Sequence, residues 1–293
     1  CPGKDSEYID YPAYAKRIDP NPRAEGFVTD ENKDQYPELG NNRVGVSMQY
    51  VGREPRFYAS VAYNGSTWYL LNEPNDANKD KQIFYYRGGG NGYTNTMFWL
   101  PTGIGVMKFV HPDDTNRDEK EEYIRKKAEP AIRYAEILLI YAEALNELTG
   151  NYNIASWDEE TQYTIQRNID EMKKGIQPIR IRAGIPDYTR SEYEDQDLFR
   201  EKLKRERQIE LMGEGHRYYD IRRWKDAEVE ESLPIYGCNT LMTEKWRDVF
   251  HVPVAIPSLP TNFSRKMYFW PISHSELKRN KMLTQNPGWT YND

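Results

Sequence analysis

Ile132-Arg133-Tyr134-Ala135-Glu136-Ile137-Leu138-Leu139-Ile140-Tyr141-Ala142-Glu143-Ala144-Leu145-Asn146-Glu147-Leu148 is the stretch that sets the fold class. Ile132, Ala135, Leu138, Leu139, Ala142, Leu145 and Leu148 recur at steps of three and four, the period of one helix face. Pro130 suits a first helical turn and Gly150 a left-handed C-terminal cap, so the spacing predicts a helix over 130–150. Ala135 and Ala142 are small enough to let a neighbouring helix come close, as in a tetratricopeptide unit.

Downstream, a second helix is predicted over 161–174, carrying Ile165, Ile169 and Met172 and stopping at Gly175. A third starts near Asp197 and runs through Leu198, Leu203 and Ile209 to about Met212. Gly213 and Gly215 break it before a short helix over 217–225. Residues 232–263 are a Pro-punctuated loop, and Ser273 with Glu276 fits a capping box for a last short helix around Leu277. Upstream, 57–63 and 67–71 read as two strands around Asn64-Gly65, a pair that readily takes the positive φ angles of a type I′ hairpin turn. Residues 72–105 form a long loop containing the glycine-rich run 88–92. The expected architecture is mainly α: tetratricopeptide-like helical pairs, a small β-hairpin and long ordered loops. A loop-rich segment, 1–55, precedes a domain over 56–293.

Composition narrows the function. No apolar run approaches the roughly 18 residues of a membrane-spanning helix. The net charge of −6 supplies no field to draw the chain to nucleic acid. Aromatics make up 13% of the chain, with 23 Tyr and 7 Trp. Tyr and Trp combine a flat apolar face with a polar tip, which suits half-exposed surfaces that bind sugars, peptides or proteins; packing beneath long loops is the plainer use of the same residues. With two cysteines, Cys1 and Cys238, there is no disulfide framework, although one bridge is permitted. A cysteine at position 1 is what a lipoprotein shows after signal cleavage, and Pro2-Gly3 fits an arbitrary cut equally well.

The densest charge cluster runs from Glu206 and Arg207 through Glu210, Glu214, His216, Arg217 and Asp220 to Arg222 and Arg223. Glu206 and Glu210, one helical turn apart, raise the alternative of a glycosidase acid pair. Such pairs normally face each other across a cleft from separate elements, whereas alternating signs at helical offsets form ion networks. His216 and Asp220 lack the HExxH context of a zinc site, and the glycine run 88–92 lacks the Gly-Lys-Ser/Thr ending of a phosphate loop. Neither metal nor cofactor is expected, and nothing argues positively for catalysis.

Several segments, in this order, resemble the C-terminal half of the SusD/RagB family. They are Glu54-Pro55-Arg56-Phe57-Tyr58 leading into Asn64-Gly65-Ser66-Thr67-Trp68, then Ile132 to Leu145, then Ile181-Arg182-Ala183-Gly184-Ile185-Pro186. The charge cluster with Trp224 follows, and last come Phe269-Trp270-Pro271-Ile272 and Gln285-Asn286-Pro287-Gly288-Trp289. Full-length members carry a large N-terminal helical region, and nothing in this chain resembles it. The resemblance implies a non-enzymatic lipoprotein on the outer-membrane surface, tethered through a residue such as Cys1. It also implies a SusC-like TonB-dependent transporter as partner. Its ligands would be glycans, or peptides as in the RagB branch. No binding residue transfers by motif. From the residues themselves, Trp68 and Tyr69 beside the predicted turn, and Tyr93 and Trp99 around the glycine run, are the candidate ligand-binding aromatics. Competing with glycan capture are peptide capture, a hydrolase using Glu206 and Glu210, and a purely structural helical adaptor.

Overall fold

The computed structural model describes residues 26–290 apart from 96, 118–120, 129 and 260. Pro55 opens helix α1 (Pro55–Ser60), its fixed φ suiting the first turn. Phe57 and Tyr58 therefore coil rather than extend, and the predicted pairing of 57–63 with 67–71 does not form. The run Phe57 to Tyr63 is apolar without strict alternation, a pattern that leaves helix and strand undecided. Phe57 instead stacks on Tyr63 at 5.3 Å between ring centroids. Strand β1 (Val61–Ala62) follows α1, and β2 (Thr67–Tyr69) pairs with β3 (Asp80–Gln82), Trp68 opposite Lys81. β1 pairs with β4 (Gly105–Val106), Val61 opposite Val106. Asn64-Gly65 does make a turn, since Ser66 N–H donates to Tyr63 O at 2.9 Å. Only its glycine takes a positive φ, +88°, the arrangement of a type II rather than a type I′ turn. Asn64 is buried, and its Oδ1 accepts from Tyr85 N–H at 2.8 Å, tying the turn to the next segment.

Three further two-stranded ladders punctuate the chain. They are β5 (Thr115–Arg117) with β6 (Glu121–Tyr123), β7 (Tyr152–Ala155) with β8 (Gln162–Ile165), and β9 (Tyr236–Gly237) with β10 (Val254–Ala255).

The helical half is built on α2 (Tyr134–Asn146) and α3 (Ile169–Arg182). Pro130 lies ahead of α2, whose N-cap is Arg133, and Gly150 lies beyond its end. The second predicted helix is displaced: 162–165 is strand, and α3 starts where Asn168 Oδ1 accepts from Glu171 N–H at 3.1 Å. Gly175 does not stop α3. A Cβ there would meet Leu138 O at 2.6 Å and Ala142 Cβ at 2.9 Å. The glycine is needed for close approach, and Ala142 is its counterpart across the pair. Next come α4 (Arg190–Glu194), opened by a Thr189/Glu192 capping box, and α5 (Gln196–Glu210), capped by Asp195. Leu139, Ala142, Met172, Ile176, Tyr193, Phe199 and Leu203 close this core. Each large apolar side chain so buried contributes about 1.5–3 kcal/mol.

Helix α6 (His216–Arg223) follows the break at Gly213 and Gly215, both with positive φ. The last helix, α7 (His274–Arg279), forms without the expected capping box, because Ser273 Oγ meets Ser275 Oγ instead. The mainly helical architecture with small two-stranded hairpins is as the sequence leads one to expect.

Candidate functional site

A cavity of about 400 Å³ opens where the loop around Glu38 to Gly40, α1, β2 and the segment Met107 to Pro112 meet. Tyr58, Tyr63, Trp68 and Tyr69 supply its aromatic wall. Each is held differently. Tyr58 Oη accepts from Arg53 N–H at 2.9 Å and donates to Tyr50 O at 2.8 Å, which fixes the ring. Burial pushes its phenol up to about 12, so it stays a neutral donor at any physiological pH. Tyr63 is fully buried, and burial raises its phenol further.

Trp68 and Tyr69 both border this cavity, from opposite faces of β2. Trp68 is half-buried and leans on the cluster of Ala62, Ile83, Tyr85, Cys238 and Phe250. Tyr69 stays 37% exposed. Gly40, at φ +91°, lets it lie close, because a Cβ there would fall 2.5 Å from Tyr69 Oη. Among the described residues, Ser66 Oγ and Trp68 Nε1 are buried behind this wall without a hydrogen-bond partner.

Tyr93 and Trp99 are not part of this cavity. They meet edge to face, 5.3 Å between centroids, each half-buried, beside the exposed Met97 and Phe98. The four candidate aromatics thus fall into two pairs. Tyr58 and Tyr63 were not singled out from sequence. Their signal was present in Phe57-Tyr58-Ala59-Ser60-Val61-Ala62-Tyr63, but a strand reading hides which rings share a wall. Cys1 lies outside the described residues. Cys238 is buried, and burial raises its thiol to about 11, the state of an inert core cysteine.

The carboxylates of the charge cluster are bound by the protein's own side chains. Glu206, 2% exposed, accepts from Arg56 at 2.6 Å, Arg180 at 2.7 Å and Tyr188 Oη at 3.3 Å. Glu210 is bonded by Arg56 at 3.1 Å and Arg133 at 3.0 Å, and also pairs with Arg182. Arg133 reaches on to Glu214 at 2.7 Å, where Lys108 also binds. Arg207 and Asp220 pair at 2.6 Å, Arg222 holds Glu231 at 2.8 Å, and Arg223 and Trp224 Nε1 both donate to Glu143. A general acid must stay free to exchange a proton with substrate. Glu206, Glu210 and Glu214 are instead committed to two or three cations each. A larger hollow of about 980 Å³ beside them is bordered by Arg56, Arg180 and Glu206, the two arginines being paired with that carboxylate. Among the described residues no group of three His, Cys, Asp or Glu side chains could hold a metal ion, and no helix is long and apolar enough to cross a membrane.

The sequence profile of the SusD family matches residues 13–289. SusD-like protein P2 of Formosa agariphila is 31% identical over 162 residues, which cover 54% of this chain and 25% of that protein. A selenomethionine form of BT4246 superposes with TM-score 0.70 at 22% identity, over 94% of this chain and 43% of the other. A SusD-like protein from Bacteroides fragilis, BF3747, superposes with TM-score 0.60 at 25% identity, over 82% and 40%. The chain therefore spans about a quarter of its curated relative and some two fifths of these solved chains. A family profile over nearly its whole length, a related sequence and a shared helical scaffold agree. The chain belongs to the SusD family, a family of binding proteins rather than catalysts.

Proposed function

We propose that the chain captures glycans at the outer-membrane surface and passes oligosaccharide to a SusC-like TonB-dependent transporter. The observation that carries this is the cavity walled by Tyr58, Tyr63, Trp68 and Tyr69. Aromatic faces accept the C–H faces of sugar rings, and phenol and backbone groups at the margins serve the hydroxyls. At about 1 kcal/mol per ring contact, two or three rings and a few hydrogen bonds give an affinity between about millimolar and micromolar. That range suits capture followed by release. The family and the Arg-saturated carboxylates speak together against the hydrolase alternative.

The test is a panel of oligosaccharides and peptides read by thermal shift and by product analysis together. A raised Tm with one glycan class and unchanged ligand is expected. A response to peptides alone would move the assignment to peptide capture, and ligand cleavage would overturn binding without catalysis.

A further inference from the structure

The β7–β8 hairpin has no part in that cavity. It leaves the core between α2 and α3, and every residue of β7 is exposed. Its register sets Tyr152 opposite Ile165 and Ile154 opposite Tyr163, which places these four on one face. Asn153, Thr164, Ala155 and Gln162 take the other face. Tyr152, Ile154 and Tyr163 are 46%, 47% and 55% exposed, and Trp157 at the tip is 96% exposed. A grouped apolar surface of this kind marks an interaction site.

The tip is ordered by its own hydrogen bonds. Ser156 N–H donates to Thr161 O at 2.7 Å, Thr161 N–H to Ser156 Oγ at 3.0 Å, and Glu160 N–H to Asp158 Oδ1 at 3.2 Å. The base is tied to the helical core, Arg167 donating to the buried Asn146 Oδ1 at 3.0 Å. Trp157 is thus carried on a preformed arm, and docking it costs little further ordering of the backbone. Asp158, Glu159 and Glu160 follow it directly, all exposed. None of the three forms an ion pair among the described residues.

We propose that this hairpin docks the chain onto its transporter, with Trp157 entering an apolar recess rimmed by lysine and arginine side chains. The inference rests on the transporter partnership proposed above. A protein fits better than a sugar. Ile154 and Ile165 offer no flat face, the two-stranded ladder leaves both outer edges open to a partner strand, and the tip carboxylates call for cations.

The test uses the full chain, tagged and expressed in its native cells, with outer membranes solubilised in detergent. The transporter identified in the wild-type eluate is then purified and titrated with each variant. Trp157→Ala and the charge reversal Glu159→Lys/Glu160→Lys should each weaken binding about tenfold or more. Melting temperature and glycan affinity should stay at wild-type values, since neither position touches the core or the cavity. Wild-type affinity for the transporter in both variants would overturn the hairpin's role and leave the partnership standing. An eluate without any transporter of this class would overturn both.

Discussion

Glu206 shows what the charge cluster does at the scale of single residues. It lies one turn from Glu210 on α5, and its partners Arg56 and Arg180 arrive from α1 and α3. Removing it takes the carboxylate from Arg180 and leaves Arg56 with Glu54 and Glu210 in a nearly dry site, so Glu206→Ala should destabilise the chain by about 3 kcal/mol. Urea unfolding checks this, and a Glu206→Ala protein of full stability would contradict it. The alternation of sign was readable in the sequence, because Glu and Arg at helical offsets favour a network over a catalytic pair. The identities of Arg56, Arg133 and Lys108 as partners were not, since those contacts bridge a hundred residues or so and no local pattern encodes them. Tyr69 and Trp68 differ in what they hold up. Tyr69→Ala should lower glycan affinity about fivefold, near 1 kcal/mol, at unchanged melting temperature. Trp68→Ala should lower both, because its ring also packs on the cluster around Phe250.

Among the elements, α2 was legible because its apolar residues keep a helical period over four turns. The α3 register was not. Gly175 reads as a stop, and only the partner helix reveals it as the point of closest approach. Gly175→Ala therefore tests the helix pair directly. Although alanine is the better helix former, its Cβ would press on Leu138 O, so a loss of about 1–3 kcal/mol is expected. A stabilised variant, read by thermal melting, would show that the helices are not packed at this point. The hairpin expected at 57–71 failed for a related reason. Pro55 starts a helix that consumes Phe57 to Ser60, and β1 and β2 then find separate partners in β4 and β3. The β7–β8 hairpin went unread because Gln162-Tyr163-Thr164-Ile165 was absorbed into a helix whose apolar spacing its isoleucine happened to extend.

Across the whole molecule, buried carboxylates make stability depend on acid. At Glu210 burial opposes the charge, but hydrogen bonds from Arg182 and Arg133 outweigh it and hold the group below 4.5. The same contest has the same outcome at Glu214, through Arg133 and Lys108, and at Glu143, through Arg223 and Trp224. A depressed carboxylate contributes stability that is fully present above its unfolded value and is lost as pH falls through the folded one. Stability from these groups should therefore hold from pH 7 to about 5 and decline below about 4.5. A denaturation midpoint that rose on acidification through that window would contradict the ion network. The aromatic cavity lies on the other side of the fold's logic, assembled from four separate stretches of chain around α1 and β2. Isothermal titration of the glycan identified in the panel, into wild type and Tyr69→Ala, tests it most directly. Saturable binding between about millimolar and micromolar is expected, weakening in the variant while its melting temperature holds; equal affinity in the two proteins would place the ligand outside this cavity.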